Sequence, residues 1–310
     1  MSETEPAVAA DREALITELM KGAVDLHCHS GPSVMPRGID HLEAMREASE
    51  AGLKAVLVKD HFYSATPVTE LLNKQFAHLG VQMLSGVPLN NTTGDFNAHA
   101  VDHGIKLGAR LVWMPTFSSA NHIRHHHGDD HFDTKFPQTV QDVLAPRPLT
   151  VLDEAGEVKD EVKVILDMIA AYDLVLSGGH LHVSEILKLF EVAKAHGVKR
   201  LLVNHPTFVV DATMADIATL AGMGAYIEHS VCMWAPGSFF LFYEPELLDQ
   251  LIQAAGVDKT ILGSDLGQEG NPSPVAGFRS VIGICLDLGY SPEDVRKMIA
   301  TNPCALAGIV

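Results

Sequence analysis

The chain has 310 residues, of which 47% are hydrophobic and 20% are charged, so it can bury a large core. Its formal net charge is -17, and so acidic a surface argues against nucleic acid or an anionic membrane as a partner. No apolar run approaches the length of a membrane span, and the N-terminus, MSETEPAVAADREALITELM, has no apolar segment typical of a signal peptide.

The cysteines give an expectation about the compartment. Four are present, at positions 28, 232, 285 and 304, and none forms a CxxC pair. Wide spacing of this kind is typical of reduced thiols rather than of a disulfide framework. We therefore expect a cytoplasmic protein.

Short runs rich in Val, Leu and Ile alternate with segments of helical periodicity. The predicted strands are 23–27, 54–59, 81–86, 110–114, 173–178, 200–204, 225–229 and 260–264. The predicted helices are about 40–51, 67–79, 96–107, 160–171, 184–196, 213–222, 245–255 and 275–288. Eight such pairs predict a (β/α)8 TIM barrel. An open doubly wound sheet is the alternative, disfavoured because no glycine-rich phosphate loop follows the first strand.

The ends of the chain set the predicted domain limits. Residues 1–10 are predicted to be a loose tail, and residues 11–21 have helical spacing. We expect this tail and helix to occupy residues 1–22. A single barrel domain is expected over residues 23–310, because no linker or internal repeat divides them.

Two segments depart from the regular alternation. A long irregular segment after the fourth strand, about 115–159, contains the histidine-rich sequence FSSANHIRHHHGDDHFDTKFP. Long loops at this end of a barrel are often functional, and we interpret residues 117–136 as a lid. A final helix is predicted around 291–301, before the terminal NPCALAGIV.

Polar residues cluster where the predicted strands end, which is where barrel enzymes place their chemistry. In DLHCHS, His27 and His29 should project to the same side of the first strand, with Cys28 pointing away. The other strand ends carry Lys59, His61, Asn90, Asn91, Thr116, His180, His182, His205, His229 and Asp265. Imidazoles and a carboxylate that converge from strands one, five, six and eight suit Zn²⁺, Mn²⁺ or Fe²⁺.

This pattern resembles the amidohydrolase superfamily. The resemblance rests on HxH after strand one, histidines after strands five and six, aspartate after strand eight, and the closing ATNPCALAGI. Within that superfamily, the strings HCHSGPSVMPR, VKDH, GVPLNNTTGDFN, WMPT and SGGHLHVSE are similar to an uncharacterised amidohydrolase-related family. The resemblance implies a metal-dependent barrel without naming a substrate. It implies as ligands His27, His29, His180, His205 and Asp265.

Strand two decides the expected number of ions. Enzymes of this superfamily often carry a carboxylated lysine after strand four that bridges two metals, whereas RLVWMPT has none. Lys59 is the candidate bridge, and His61 should share its side as a further ligand. The alternative is a partly buried lysine paired with Asp60 or with a substrate carboxylate. We therefore expect one or two ions, with Zn²⁺ favoured.

The resemblance implies cleavage of an amide or cyclic amide C–N bond, or of a lactone or ester bond, through a metal-activated water. Asp265 is then the general base, and His205 and His229 are candidates to polarise the scissile carbonyl. The predicted substrate contacts are Arg37, Asn90, Asn91, Thr116 and His182.

Three alternatives remain. A single ion would also suit a decarboxylase, and a barrel that binds a ligand without turnover is the non-enzymatic possibility. VKDH is similar to a segment of the trinuclear phosphoesterases related to polymerase and histidinol phosphatase domains. That reading is disfavoured because the glutamate expected after strand three and the final histidine are absent.

An aromatic stretch follows strand seven, with the sequence MWAPGSFFLFYEP. It is predicted either to wall the pocket or to form a subunit interface. We expect a homo-oligomer.

Overall fold

Eight parallel strands pair in the order in which they occur along the chain. The computed structural model describes the backbone of residues 4–128 and 144–309 and the side chains of residues 10–125 and 144–309. The strands are β1 Val24–Cys28, β2 Ala55–Val58, β3 Gln82–Pro88, β4 Leu111–Trp113, β5 Val175–Ser177, β6 Arg200–Asn204, β7 Tyr226–Ser230 and β8 Thr260–Gly263.

Helices follow the strands and surround them. Their bounds are α1 Thr4–Met20, α2 His41–Glu50, α3 Thr66–Gln75, α4 Ala98–Lys106, α5 Ala120–Gly128, α6 Asp160–Ala171, α7 Val183–Ala195, α8 Met214–Gly222, α9 Pro245–Ala255, α10 Pro274–Asp287, α11 Pro292–Arg296 and α12 Asn302–Ala307. Across the part of the chain that the structure describes, none is long and apolar enough to cross a membrane.

The barrel closes between its first and last strands. The Asp265 amide donates to the His27 carbonyl at 2.7 Å, and the His29 amide donates to the Leu266 carbonyl at 2.8 Å. Cys28 also forms a parallel bridge with Leu266. The predicted (β/α)8 TIM barrel is therefore confirmed.

Alternation along the strands separates two apolar cores. Side chains such as Leu57, Leu202 and Ile261 fill the barrel interior. Their neighbours in sequence, such as Val203 and Leu262, pack in the layer between the barrel and the helices. Because both faces of each strand are buried, the strands read as continuous apolar runs in the sequence.

A β-bulge adjusts this alternation in β1. Asp25 pairs with Val56 and Cys28 pairs with Val58, so two β1 residues lie opposite one residue of β2. Cys28 consequently packs into the outer apolar layer, and His27 and His29 both face the mouth of the barrel. This confirms the expectation that the two histidines project together.

Helix boundaries differ from the predictions in three places. Helix α1 begins at Thr4 rather than near residue 11, because the segment AVAADREA continues the helical propensity toward the N-terminus. Part of the segment predicted to be irregular is α5, whose start is held by the Ser119 hydroxyl as it accepts from the Asn121 amide at 3.2 Å. The remainder of the predicted lid, residues 129–136, lies outside the described residues.

The third difference concerns the C-terminal helix, which continues beyond residue 301. A π-helical turn, Lys297–Thr301, joins α11 to α12. Pro303 stands in the first turn of α12, where its missing N–H and its ring are tolerated after a widened turn. The chain therefore stays helical to Ala307.

Asn302 attaches this terminal helix to the barrel. Its side-chain amide donates to the carbonyl of Val257 at 2.8 Å and to that of Thr260 at 2.7 Å. Asn302→Ala would leave both carbonyls without this donor, so we expect the free energy of unfolding to fall by about 2–3 kcal/mol.

Urea unfolding followed by circular dichroism measures this change. Gln253→Ala, on the exposed face of α9, is the control and should shift stability by less than about 0.5 kcal/mol. Equal effects of the two substitutions would contradict the anchoring role of Asn302.

Candidate metal centre

Two imidazoles and one carboxylate meet at the seam between β1 and β8. Among the described residues, the ligand atoms of His27, His29 and Asp265 all lie within 4.8 Å of one another. Asp265 Oδ1 is 3.2 Å from His27 Nε2 and 3.0 Å from His29 Nε2. Ligands at about 2.0–2.2 Å from a zinc ion are themselves about 3.0–3.5 Å apart, so these distances fit a metal centre.

The hydrogen bonds made by Nδ1 of His27 and of His29 determine which form of each Nε2 atom faces Asp265. His27 Nδ1 lies 2.5 Å from Glu228 Oε1, and His29 Nδ1 lies 2.8 Å from the Lys59 carbonyl. Both partners are acceptors, so both Nδ1 atoms donate and Nε2 is left for a ligand. The Nε2 atoms of the two buried imidazoles then face the partly exposed carboxylate of Asp265, an arrangement that a metal cation, a proton on His27 or the nearby Lys59 amine can satisfy. The residues present therefore fit a divalent metal.

A buried network holds Glu228 in place. Asn204 donates to Glu228 Oε2 at 2.7 Å and accepts from the Ser177 hydroxyl at 2.6 Å. Gly263 leaves room for this arrangement, because a Cβ atom there would lie 2.7 Å from Glu228 Cδ and 3.0 Å from His27 Cβ. The orientation of His27 thus depends on residues from β5, β6, β7 and β8.

The two imidazoles have opposite pKa shifts. Burial favours neutral His27, but the carboxylates of Asp265 and Glu228 outweigh burial and raise its pKa to about 9. Burial lowers the pKa of His29 to about 3. Burial also acts to raise the pKa of Asp265, yet His27 and His29 hold it well below its usual range. Asp265 is therefore ionised at neutral pH, and a metal would compete with a proton for His27.

Lys59 is buried beside these residues, with 1% of its surface exposed. Its Nζ lies 3.0 Å from His27 Nε2. Burial lowers the pKa of Lys59, against the attraction of the Asp265 and Glu228 carboxylates. Its neighbour Asp60 contacts Arg37 instead. The structure thus places the Lys59 amine beside His27, next to the candidate metal centre.

Five imidazoles form a closed circuit at the mouth of the barrel. The ring centroids of neighbours are 5.1 Å apart for His27 and His29, 5.1 Å for His29 and His61, and 5.6 Å for His61 and His180. The circuit closes through His205, 4.8 Å from His180 and 5.9 Å from His27. The structure therefore brings together every histidine predicted from the sequence as a metal ligand.

Three imidazoles lie outside the group formed by His27, His29 and Asp265. They belong to His61, His180 and His205. His61 Nδ1 is 2.9 Å from the Thr116 hydroxyl, and His180 Nδ1 is 2.9 Å from His122 Nδ1. Among the described residues, His180 Nε2 and His205 Nδ1 are buried without a hydrogen-bond partner. Burial holds the pKa of His61, His180 and His205 well below the usual range. Neutral imidazoles of this kind suit metal coordination.

Two of the site residues have left-handed backbone conformations. The φ angle is 32° at His205 and 51° at Asp265. Side chains with a Cβ rarely adopt such angles, and strain of this kind concentrates at functional sites. It turns the chain sharply where β6 and β8 end, so that both side chains point into the mouth of the barrel.

The cavity beside His29 and Asp265 has a volume of about 40 Å³. It combines charged groups with apolar walls. Its lining residues are His29, Met35, Arg37, Lys59, His61, Phe117, His180, His205, Phe208, Cys232, Met233, Phe240, Asp265 and Gln268. The aromatic stretch after β7 thus contributes Phe240 to the wall, while Phe239 and Leu241 are about half exposed.

Asn90, Asn91 and Thr116, three of the predicted substrate contacts, are instead bonded within the loops after β3 and β4. Asn90 donates to the His61 carbonyl and to Thr116 Oγ1, and it accepts from the amides of Thr116 and Ser118. Asn91 donates to Asp95. These residues hold the loop that positions His61 and do not line the cavity.

His182 and His229 lie away from the five clustered imidazoles. His182 caps α7 by accepting from the Ser184 amide, and its side chain is 36% exposed. His229 pairs in register with Leu262, whose side chain lies in the outer apolar layer. In the part of the chain that the structure describes, neither ring nitrogen of His229 has a hydrogen-bond partner. Burial alone lowers its pKa to about 3.

Glu228 is the residue that the sequence analysis missed. Glu228 and His229 both lie near the end of β7. The sequence pattern singled out only the histidine as a candidate site residue. The register of β7 with β8 places Glu228 opposite Ile261, which faces the barrel interior. The signal was therefore present in the EH pair, but the sequence did not show which of the two residues points inward.

No curated protein sequence matches the chain. An amidohydrolase from Pseudomonas aeruginosa superposes with a TM-score of 0.61 at 12% identity, over 96% of this chain and 98% of that one. The dipeptidase AC, a metallopeptidase, gives a TM-score of 0.56 at 13% identity, over 93% and 98% of the two chains.

A decarboxylase is also similar in structure. The 2,6-dihydroxybenzoate decarboxylase, in complex with 2,6-dihydroxybenzoate, gives a TM-score of 0.57 at 11% identity, over 93% of this chain and 100% of that one. At such identities these likenesses establish the fold, which is that of amidohydrolases. A sequence model of a family of unknown function, DUF6282, matches residues 22–228. The chain therefore belongs to the DUF6282 family.

Proposed function

We propose that this protein is a metal-dependent hydrolase that cleaves a C–N bond, or a lactone or ester C–O bond, of a small molecule. The observation that carries the proposal is the convergence of His27 Nε2, His29 Nε2 and Asp265 Oδ1 at the mouth of the barrel. Each imidazole has its second nitrogen fixed by an acceptor. A divalent metal would join the facing Nε2 and Oδ1 atoms, in competition with a proton on His27.

His27, His29 and Asp265 would hold the ion, and His61, His180, His205 and Lys59 stand around it as further candidates. A divalent metal bound there would lower the pKa of a coordinated water toward neutrality and polarise a carbonyl oxygen. Zn²⁺ suits this nitrogen-rich donor set, and Mn²⁺ or Fe²⁺ are the alternatives.

Asp265 is positioned to move the proton. Its Oδ1 faces the two imidazoles, which leaves Oδ2 to accept a proton from the attacking water. The low pKa of Asp265 keeps the carboxylate ionised until that step. Its side chain is 16% exposed and lines the cavity, so it can then deliver the proton to the leaving group. His205, also in the cavity wall, is placed to polarise the carbonyl.

A decarboxylase is the second candidate function. It is favoured by the compact three-residue group, which suits a single ion, and by the absence of a lysine at the end of β4. Carboxylation of Lys59 would instead supply a bridging anion for a second ion. The number of ions bound per chain therefore decides between a mononuclear site and a binuclear site bridged by carboxylated Lys59.

Metal content provides the first test. Protein purified without a chelator or a histidine tag should hold one or two divalent transition-metal ions per chain by elemental analysis. His29→Ala should reduce the affinity at least 100-fold, and Glu228→Gln should reduce it about 10- to 100-fold by freeing His27. The control His196→Ala, on the surface after α7, should bind metal as the wild type does. Wild-type protein with no stoichiometric metal would refute the proposal.

Turnover provides the second test. With lactones, cyclic amides and carboxylic acids as candidate substrates at saturating Zn²⁺, Asp265→Asn should lower kcat by about 10²- to 10⁴-fold. The matched change Asp167→Asn, at an exposed carboxylate of α6, should leave kcat unchanged. Carbon dioxide release in place of hydrolysis would identify the decarboxylase. Full activity of Asp265→Asn would contradict the assigned role.

His229 provides the third test. Because its buried ring has no partner among the described residues, His229→Leu should retain turnover and metal, and should raise the free energy of unfolding at pH 7 by about 1–2 kcal/mol. In the wild type the unfolded chain takes up a proton near pH 6.5 that buried His229 refuses until about pH 3. This histidine therefore lowers stability as the pH falls from 6.5 toward 3, and the variant should lose less stability across that range. Loss of turnover in His229→Leu would restore this residue as a catalytic candidate.

A further inference from the structure

The start of α5 is bonded to the loop that carries His180. The Ser119 hydroxyl donates to the His180 carbonyl at 3.0 Å, and the Asn121 side-chain amide donates to the same carbonyl at 3.2 Å. The Asn121 amide also donates to the Val209 carbonyl at 2.6 Å, which ties α5 to the loop after β6. The start of α5 therefore holds the backbone of His180 in one place.

The loops after β4 and β5 also approach each other closely at this point. The His180 amide donates to the Pro115 carbonyl at 2.9 Å. Gly179 has a φ angle of 61°, and a Cβ atom at this position would collide with the carbonyl oxygen of Met114. Only glycine permits both this conformation and this approach. The backbone of His180 is thus fixed independently of its side chain.

His122, in the first turn of α5, contacts the side chain of His180. Its Nδ1 lies 2.9 Å from His180 Nδ1, and the two rings stack with their centroids 4.8 Å apart. Both residues are buried. A hydrogen bond between two neutral imidazole nitrogens contains one proton, so one Nδ1 donates and the other accepts. The position of that proton decides which tautomer of His180 is present.

The other nitrogen of His180 belongs to the metal centre. His180 lines the same cavity as Lys59 and Asp265, and among the described residues its buried Nε2 has no hydrogen-bond partner. An Nε2–H group would be repelled by the proposed cation and by the Lys59 ammonium, whereas an Nε2 lone pair would be attracted by both. These surroundings favour the tautomer in which Nδ1 of His180 carries the proton and donates it to His122.

We propose that His122 is a positioning residue, which accepts the Nδ1–H bond of His180 and so leaves the Nε2 lone pair of His180 available to a metal ion. This inference rests on the proposed function, because it treats His180 as a metal ligand. His122 then does for His180 what Glu228 does for His27, since each holds the Nδ1 atom of its partner. The start of the segment predicted to be a lid thus has a defined role at the metal centre.

The tautomer of His180 is measured by NMR on the full-length protein labelled with ¹⁵N-histidine, because a protonated ring nitrogen and a bare one give different signals. The signals of His180 are identified by their loss in His180→Gln. In wild-type protein freed of metal by chelation, His180 should carry its proton on Nδ1. A proton on Nε2 overturns the inference, and this result requires no variant of His122 to fold.

Zinc affinity, measured by competition with a chelator, tests the effect on the metal. His122→Phe keeps an aromatic ring but removes the acceptor, and it should weaken zinc binding about 10- to 100-fold. His122→Asn restores an acceptor near the position of Nδ1, and its affinity should stay within about threefold of the wild type. The matched control is His125→Phe, also on α5, where Nε2 of the histidine lies 2.7 Å from Asp211. This control should bind zinc as the wild type does.

The two measurements separate this inference from the proposed function. A wild-type chain that binds no zinc refutes the metal-dependent hydrolase, whereas the tautomer of His180 in that chain still tests the role of His122. Wild-type zinc affinity in His122→Phe overturns the inference. An equal loss of affinity in His122→Phe and His125→Phe also overturns it, because the loss would then come from a general disturbance of α5.

Discussion

The bond between His27 Nδ1 and Glu228 is the interaction on which the site depends. It fixes the tautomer of His27. It also places the carboxylate of Glu228 on one side of the His27 ring, while the carboxylate of Asp265 lies on the other. Asn204, Ser177 and Gly263 are organised around that carboxylate. Residues away from the candidate metal position therefore set how His27 Nε2 points, and supporting hydrogen bonds of this kind govern affinity in metal centres.

The sequence predicted the elements well because each is locally encoded. Apolar runs marked the strands, helical periodicity marked the helices, and the HxH pair already showed which side of β1 would face the mouth. The N-terminal, α5 and C-terminal boundaries were less certain, since they depend on caps and on how Pro303 is accommodated. The family strings correctly indicated the amidohydrolase fold and its uncharacterised relatives.

The details of the site were harder to predict, because they depend on register and on long-range bonds. Whether Glu228 or His229 points inward is decided by pairing with β8, which lies more than thirty residues later in the chain. Asn90 carries the same amide whether it binds a substrate or holds a loop, and only its four bonds in the fold show the second role. Residue type at a strand end therefore located the site without assigning each role.

The three candidate metal ligands join the first and last strands of the barrel. His27 and His29 come from the first strand and Asp265 follows the last, so the three meet only when the ring of strands has closed at its final seam. A growing or truncated chain that lacks β8 cannot present all three ligands, however complete its other strands are. An ion that prefers the closed barrel also stabilises it by mass action. An ion bound at the proposed metal centre would therefore hold the first and last strands of the barrel together, and its binding would require both strands to be in place.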